Sequence, residues 1–279
     1  LVLSPVHQLL DPAQPPGQAP PCGTRSYLQK LEAEPETAGF VGAPTVFLSH
    51  AWSDKFRGVI AAIRNYVTAL PKGTPRQFFW FDCFSIDQHA TQTMPQEWWS
   101  TTFQDAIRGI GCTLMVLSPW QDPLPLTRAW CLWELFSTHK VGATFKICLG
   151  PEEQHAFERA LQRDCAIVLR AFAKINVEKA EAGCKQDQEM IMKAVRDSVG
   201  CDELNGIAFE RMRGWILGVA RGLLDKPETT VGGRNQITFL FRQLGLLAEA
   251  GDVAEATLVQ QRQRQQQPQS TRKAVCCCS

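Results

Sequence analysis

TVFLSHAWSDKF, residues 45–56, decides how the rest of the chain is read. Thr45 to Leu48 suit a buried strand, and the chain then runs straight into Ser49, His50, Trp52 and Asp54. A strand that ends in such a cluster is either a functional loop at the carboxyl edge of a sheet or a plain terminus followed by a helix cap. The residues that follow place the cluster. KFRGVIAAIRNYVTAL has a helical period, and QFFWFD (77–82) reads as a second strand. A polar loop and the helical EWWSTTFQDAIRGI precede CTLMVLS (112–118), a third strand. RAWCLWELFSTHK is a third helix and TFKICL (144–149) a fourth strand. A helix over EQHAFERAL leads to CAIVLR (165–170), expected as a fifth strand, with a continuing helix as the alternative. Strands alternating with helices imply a parallel sheet covered on both faces. Right-handed crossovers then bring SHAW (49–52), DCFSIDQH (82–89) and SPWQDPLPLTRAW (118–130) to one rim, where open α/β sheets bind ligands.

Around this body the composition changes. Residues 1–42, rich in Pro, Gly, Gln and Ala, read as a flexible lead-in with a short helix near RSYLQKLEAE. After residue 170 the strands stop. KQDQEMIMKAVRDSV and FERMRGWILGVARGLL make an amphipathic helical extension over 171–225, and DKPETTVGGRN is a Gly-containing linker. Residues 226–264 read as helix, tight turn at Gly251-Asp252, and helix, and the Gln- and Cys-rich 265–279 as a frayed tail.

The chain has 29 basic and 28 acidic residues, a net charge of +1, so no global field attracts nucleic acid. Eleven cysteines without a CxxC pair, several inside apolar runs, fit free thiols in a reducing, cytoplasmic setting. No apolar run reaches the roughly 20 residues of a spanning helix. The chain starts with Leu and reads as a fragment, so the want of a leader says little. CCCS at the end has a C-a-a-X outline that would put a prenyl group on Cys276, with Arg272 and Lys273 upstream. Cys in place of aliphatic residues at its middle positions weighs against that. GxSxG, GxxxxGK[ST] and GxGxxG are all missing.

VFLSH as first strand, SPW after the third and WCLWEL opening the next helix resemble the TIR (Toll/interleukin-1 receptor/resistance) domain. The likeness is to divergent TIR-like domains found in front of tetratricopeptide or kinesin-light-chain-type repeats, and covers about residues 43–170. LFRQLGLLAEAGDVAEATLV looks like one tetratricopeptide unit, with Leu244-Gly245, Gly251-Asp252 and Ala256 in suitable places. The fold this resemblance implies is a flavodoxin-like parallel five-stranded sheet with helices on both faces, followed here by an all-helical C-terminal extension. Its implied activities are two: TIR–TIR assembly with protein partners, or cleavage of NAD as a substrate, with a Glu on the helix after the third strand. The matching residue is Glu134.

Wound at 100° per residue, Leu132, Leu135, Phe136 and His139 share the face expected on the sheet. Glu134 falls nearly opposite, beside Trp130 and Thr138, free to face solvent, a cleft or a partner. In the TIR-like reading Ser49, His50, Trp52, Asp82 and Trp130 line the nucleotide, with Trp52 stacking and His50 hydrogen-bonding. The plainer reading is that Trp52 packs on a helix while Ser53 or Asp54 caps the helix that follows. Asp82, Asp87 and His89, with His50, carry ligand chemistry for a divalent ion, but their spacing is not diagnostic. A loop network in which the Asp residues accept backbone N–H bonds is the expectation, with no metal. Trp98, Trp99, Trp120, Trp130 and Trp133 form an aromatic belt near the same rim, and Arg128 reads as a surface Arg.

Overall fold

The computed structural model describes residues 27–85 and 104–266. Asp87, His89, Trp98, Trp99 and the C-a-a-X outline at Cys276 lie outside them. The chain divides into two compact units. One holds residues up to Gln154 together with Lys174–Met212, and the other holds His155–Ala173 with the residues from Arg213 onward. The boundary expected at residue 170 is therefore displaced: residues 174–212 belong with the sheet.

In the first unit, β1 (Val46–Ser49), β2 (Phe79–Trp80), β3 (Cys112–Val116) and β4 (Thr144–Cys148) form one parallel sheet in the order β2-β1-β3-β4. β1 is the strand that the opening stretch predicts, and all four of its residues are buried. It pairs with β2 through Phe47 and Trp80 and with β3 through Ser49 and Met115. The Phe47 and Trp80 rings stack at 4.6 Å. β4 is an edge strand whose Thr144 and Lys146 are exposed, and a charged lysine is a common guard on such an edge.

α1 (Tyr27–Ala33) and α2 (Pro35–Ala38) lie within the stretch expected as a lead-in, and Leu28 is fully buried in the same core as β1. α3 (Phe56–Thr68) adds Val59, Ala62 and Ile63 to that core, at the spacing of a helix with one apolar face. The helix cap expected from Ser53 or Asp54 does not form. Lys55 occupies the cap position without a side-chain bond, so Asp54 sits one residue too early to reach the first turn. α4 (Asp82–Ser85) is a single turn directly after β2, α5 (Ala129–Lys140) follows β3, and α8 (Lys185–Ser198) packs against α5. Trp120 and Trp133 are core residues, and Arg128 pairs its backbone with Glu181 in an isolated bridge.

The second unit is helical. It takes in the ends of α6 (Pro151–Arg163) and α9 (Cys201–Leu224), with α7 (Cys165–Phe172), α10 (Val231–Gln243) and α11 (Leu247–Gln266). CAIVLR is thus not a fifth strand: the sheet among the described residues has four, and residues 165–172 are helical. Asp164 caps α7 by accepting from Ala166 N, and Cys165, Val168, Ala171 and Phe172 are buried at helical spacing. Phe157 stacks on Trp215 at 4.5 Å to build the centre of this unit. The supposed linker glycines, Gly232 and Gly233, lie in the first turn of α10, which Thr230 caps. The turn between α10 and α11 is at Gly245, not at Gly251-Asp252, which lie inside α11 with Ala256. Gly245 has φ 78°, a left-handed conformation that glycine adopts without a Cβ penalty. Leu246 N then donates to Phe241 O and Gly245 N to Arg242 O, the paired bonds of a Schellman stop.

Candidate functional site

The parallel sheet places the carboxyl ends of β1, β2 and β3 on one edge, and the residues after β1 and β2 meet there. His50 Nε2 lies 3.0 Å from Asp82 Oδ1, joining the loop after β1 to the first residue of α4. Trp52 Nε1 donates to Asp82 Oδ2 at 2.5 Å, and Cys83 N donates to Asp82 Oδ1 at 2.8 Å. Asp82 is thus a hub with donors from three residues, and its bond from Cys83 N is the loop-network role expected of it. The ring of Phe81 meets His50 edge-on at 4.9 Å and holds the imidazole in place.

Charge follows from this wiring. Burial opposes the His50 imidazolium, but the bond and charge of Asp82, with Cys83 adding to them, lift its pKa to about 10. Burial likewise opposes the Asp82 carboxylate, but His50, Trp52 and Cys83 N–H hold it below the usual carboxylate range. The two directions agree: without a bound cation the pair is an imidazolium beside a carboxylate.

Glu134 reaches the same cluster from α5. Its residue as a whole is half-buried, yet Oε2 is almost wholly shut off from solvent and makes no well-formed hydrogen bond. Ser49 Oγ, at the end of β1, is likewise buried and lies close enough to act on that carboxyl. Burial pushes the Glu134 carboxyl up to about 8, against the pull of the Ser49 hydroxyl and the His50 charge, while Asp82 adds to the rise. One turn earlier on α5, Cys131 Sγ donates to His50 O at 3.3 Å and ties the helix to the β1 loop. Asp54 adds a further orphan, Oδ2, and burial raises its pKa while the His50 charge opposes the rise.

Five of the six residues singled out from the sequence therefore share one neighbourhood: Ser49, His50, Trp52, Asp82 and Glu134. Trp130 is committed elsewhere, donating its indole N–H to Asp187 of α8 at 3.2 Å. The expected orientation of α5 needs correction. The helix is buried nearly all round, with Cys131, Trp133, Ser137 and Thr138 as buried as Leu132 and Leu135. His139, placed on the sheet face by the helical wheel, is exposed. The Thr138 hydroxyl lies 2.7 Å from that of Thr113 on β3, so the side of α5 that bears Thr138 faces the sheet. Glu134 is correspondingly enclosed and not turned to open solvent.

Sequence reasoning missed Cys131 and Cys83, and took Asp54 for a helix cap. The position of Cys131 three residues before Glu134 was the available signal, since that spacing puts both on one side of a helix. Trp52 is 62% exposed, and Tyr27 and Phe56 are 53% and 55% exposed, so this edge also presents aromatic surface. Phe56 and Tyr27 both lean on Phe84, at 5.9 and 5.5 Å. Comparison with family models finds none that matches, and comparisons with curated proteins and with solved structures find no significant match.

Proposed function

We propose that the chain is a TIR-like signalling module that cleaves NAD to nicotinamide and an ADP-ribose product, with Glu134 as the catalytic carboxylate. The observation that carries this reading is the enclosed Glu134 carboxyl, whose Oε2 makes no well-formed hydrogen bond, beside the ends of β1 and β2. A buried polar atom left without a partner costs about 1–3 kcal/mol, a cost that a fold retains where a ligand group is to be met. The strand order β2-β1-β3-β4 also supports relating the sheet to a flavodoxin-like arrangement.

The chemistry suits the groups present. Nicotinamide is cationic on the ribose and leaves neutral, so its departure needs no acid. A carboxylate near the anomeric carbon stabilises the oxocarbenium-like ribose that remains, as in glycoside hydrolysis. Water then adds to that carbon and loses a proton, giving ADP-ribose. The protonated Glu134 carboxyl of the free protein becomes an anion when the pyridinium approaches, because an adjacent positive charge favours the ionised form. Trp52, fixed through Asp82 and largely exposed, offers a flat ring for stacking on nicotinamide or adenine. The reading places the protein in a reducing compartment, consistent with seven free thiols among the described residues.

The exposed aromatics Tyr27, Trp52 and Phe56 favour a second reading, a non-catalytic assembly module that binds through this edge. Incubation with NAD and measurement of nicotinamide release separates the two. The enzyme reading expects turnover in wild type and a fall of at least about a hundredfold in Glu134→Ala. Turnover that survives the substitution removes Glu134 from the reaction. Absence of turnover in concentrated, deliberately assembled protein leaves the assembly module.

A further inference from the structure

We infer that His50 Nε2, Asp82 Oδ1 and Cys83 Sγ form a binding site for a zinc-like divalent ion. The inference begins with a mismatch of donors. His50 Nδ1 lies 3.2 Å from Ala51 O, and Nε2 lies 3.0 Å from Asp82 Oδ1. Both neighbours are acceptors, whereas a neutral imidazole carries a single N–H. Asp82 is a carboxylate here, since Trp52 Nε1 and Cys83 N both donate to it. The ring therefore needs one more positive charge on the Asp82 side, and that charge is either a second proton or a metal ion. With Nδ1–H donating to the Ala51 carbonyl, Nε2 turns its lone pair toward Asp82. That is the tautomer of a metal-binding histidine whose other nitrogen is held by backbone.

Cys83 points toward the metal. The ligand atoms of His50, Asp82 and Cys83 all lie within 4.8 Å of one another. Zinc with its usual bond lengths and tetrahedral angles holds such donors about 3.3–3.6 Å apart, a spacing close to that of this set. The side chains of His50 and Asp82 are only 6% and 21% exposed, so two ligands are fixed from the protein side. Cys83 is exposed and leaves the ion a path from solvent. A mixed N, O and S set selects zinc over magnesium or calcium, which take oxygen ligands. Trp52 holds the Asp82 carboxylate through its far oxygen, as an outer partner that orients a ligand. Sequence spacing directs attention to Asp87 and His89 and passes over Cys83, whose thiol reaches the pair because α4 turns directly after β2.

This inference is independent of NAD turnover and is read by metal content. The reduced full chain, stripped with chelator, is titrated with Zn²⁺ and, separately, with Co²⁺. One tightly held equivalent per chain is expected, with a thiolate-to-cobalt charge-transfer band in the near ultraviolet. Cys83→Ala, which changes an exposed side chain, should abolish both signals, and Cys184→Ala, another exposed thiol, should leave both. Trp52→Phe should weaken binding about 10–100-fold. Failure of the wild-type chain to retain metal, or retention unchanged in Cys83→Ala, overturns the inference and leaves the extra charge on His50 as a proton alone.

Discussion

At Glu134 a carboxyl lifted by burial to about 8 keeps its proton in the folded chain where the unfolded chain has lost it. Between about 4.5 and about 8 the folded state therefore binds more protons than the unfolded state at this position. Stability contributed by this group falls as pH rises through that window, which is the sign expected of a raised carboxyl. Glu134→Gln removes the slope, and we expect a gain of about 1–3 kcal/mol at the alkaline end. Denaturant unfolding near pH 5 and near pH 8 checks it, and a variant less stable than its parent at the higher pH contradicts it. The same titration governs the proposed chemistry in the opposite sense. In chelator, kcat/KM for NAD should rise with pH until about 8 and then level, because it follows the ionised carboxyl of the free enzyme. The cluster around Glu134 was legible from the sequence, as Ser49, His50, Trp52 and Asp82 are residues that follow strands. The enclosure of Glu134 was not. A helical wheel assumes one buried face, whereas α5 meets β3 through Thr138 and α8 through Trp130.

Individual elements show where local signals sufficed and where they misled. VFLS, the FW of QFFWFD, CTLMV and TFKIC are strands because β-branched and aromatic runs sit between helical periods. CAIVLR carries the same apolar content, but Asp164 offers a cap two residues before Ala166 and the helix prevails. Short apolar runs do not distinguish a buried strand from a buried helix turn, so length and cap must arbitrate. The turn of the helical hairpin lies six residues before the expected one because two Gly-containing pairs compete for it. Only Gly245 has positive φ, while Gly251 lies within α11. Gly245→Ala should therefore cost about 1–2 kcal/mol, the cost of a side chain in the left-handed region. Gly251→Ala should be neutral or slightly stabilising, since glycine is the poorer helix former. Thr230→Ala, which removes the bond from Gly233 N to Thr230 Oγ1 at 3.1 Å, should cost about 1 kcal/mol. Thermal unfolding of the three variants tests the corrected turn directly, and equal losses at Gly245 and Gly251 would refute it.

For the whole molecule, the near balance of charge leaves no broad field for polyanions, and no helix among the described residues is long and apolar enough to cross a membrane. Duplex DNA or RNA should accordingly fail to bind at about physiological ionic strength, where a Debye length of about 8 Å screens scattered surface charge. A mobility-shift assay that detected tight binding would oppose this. Two compact units, with residues 174–212 joined to the sheet, mean that the site and its support come from distant parts of the sequence. Alternating strands and helices announce the sheet, but nothing in their pattern announces Asp187 as the partner of Trp130. The central claim is that Glu134 acts on NAD at the meeting point of β1 and β2. Its most direct test is nicotinamide release by the full chain, concentrated and assembled, compared with Glu134→Gln. The account predicts release in the first and its loss in a second protein that is folded and at least as stable. Equal release from both would contradict it.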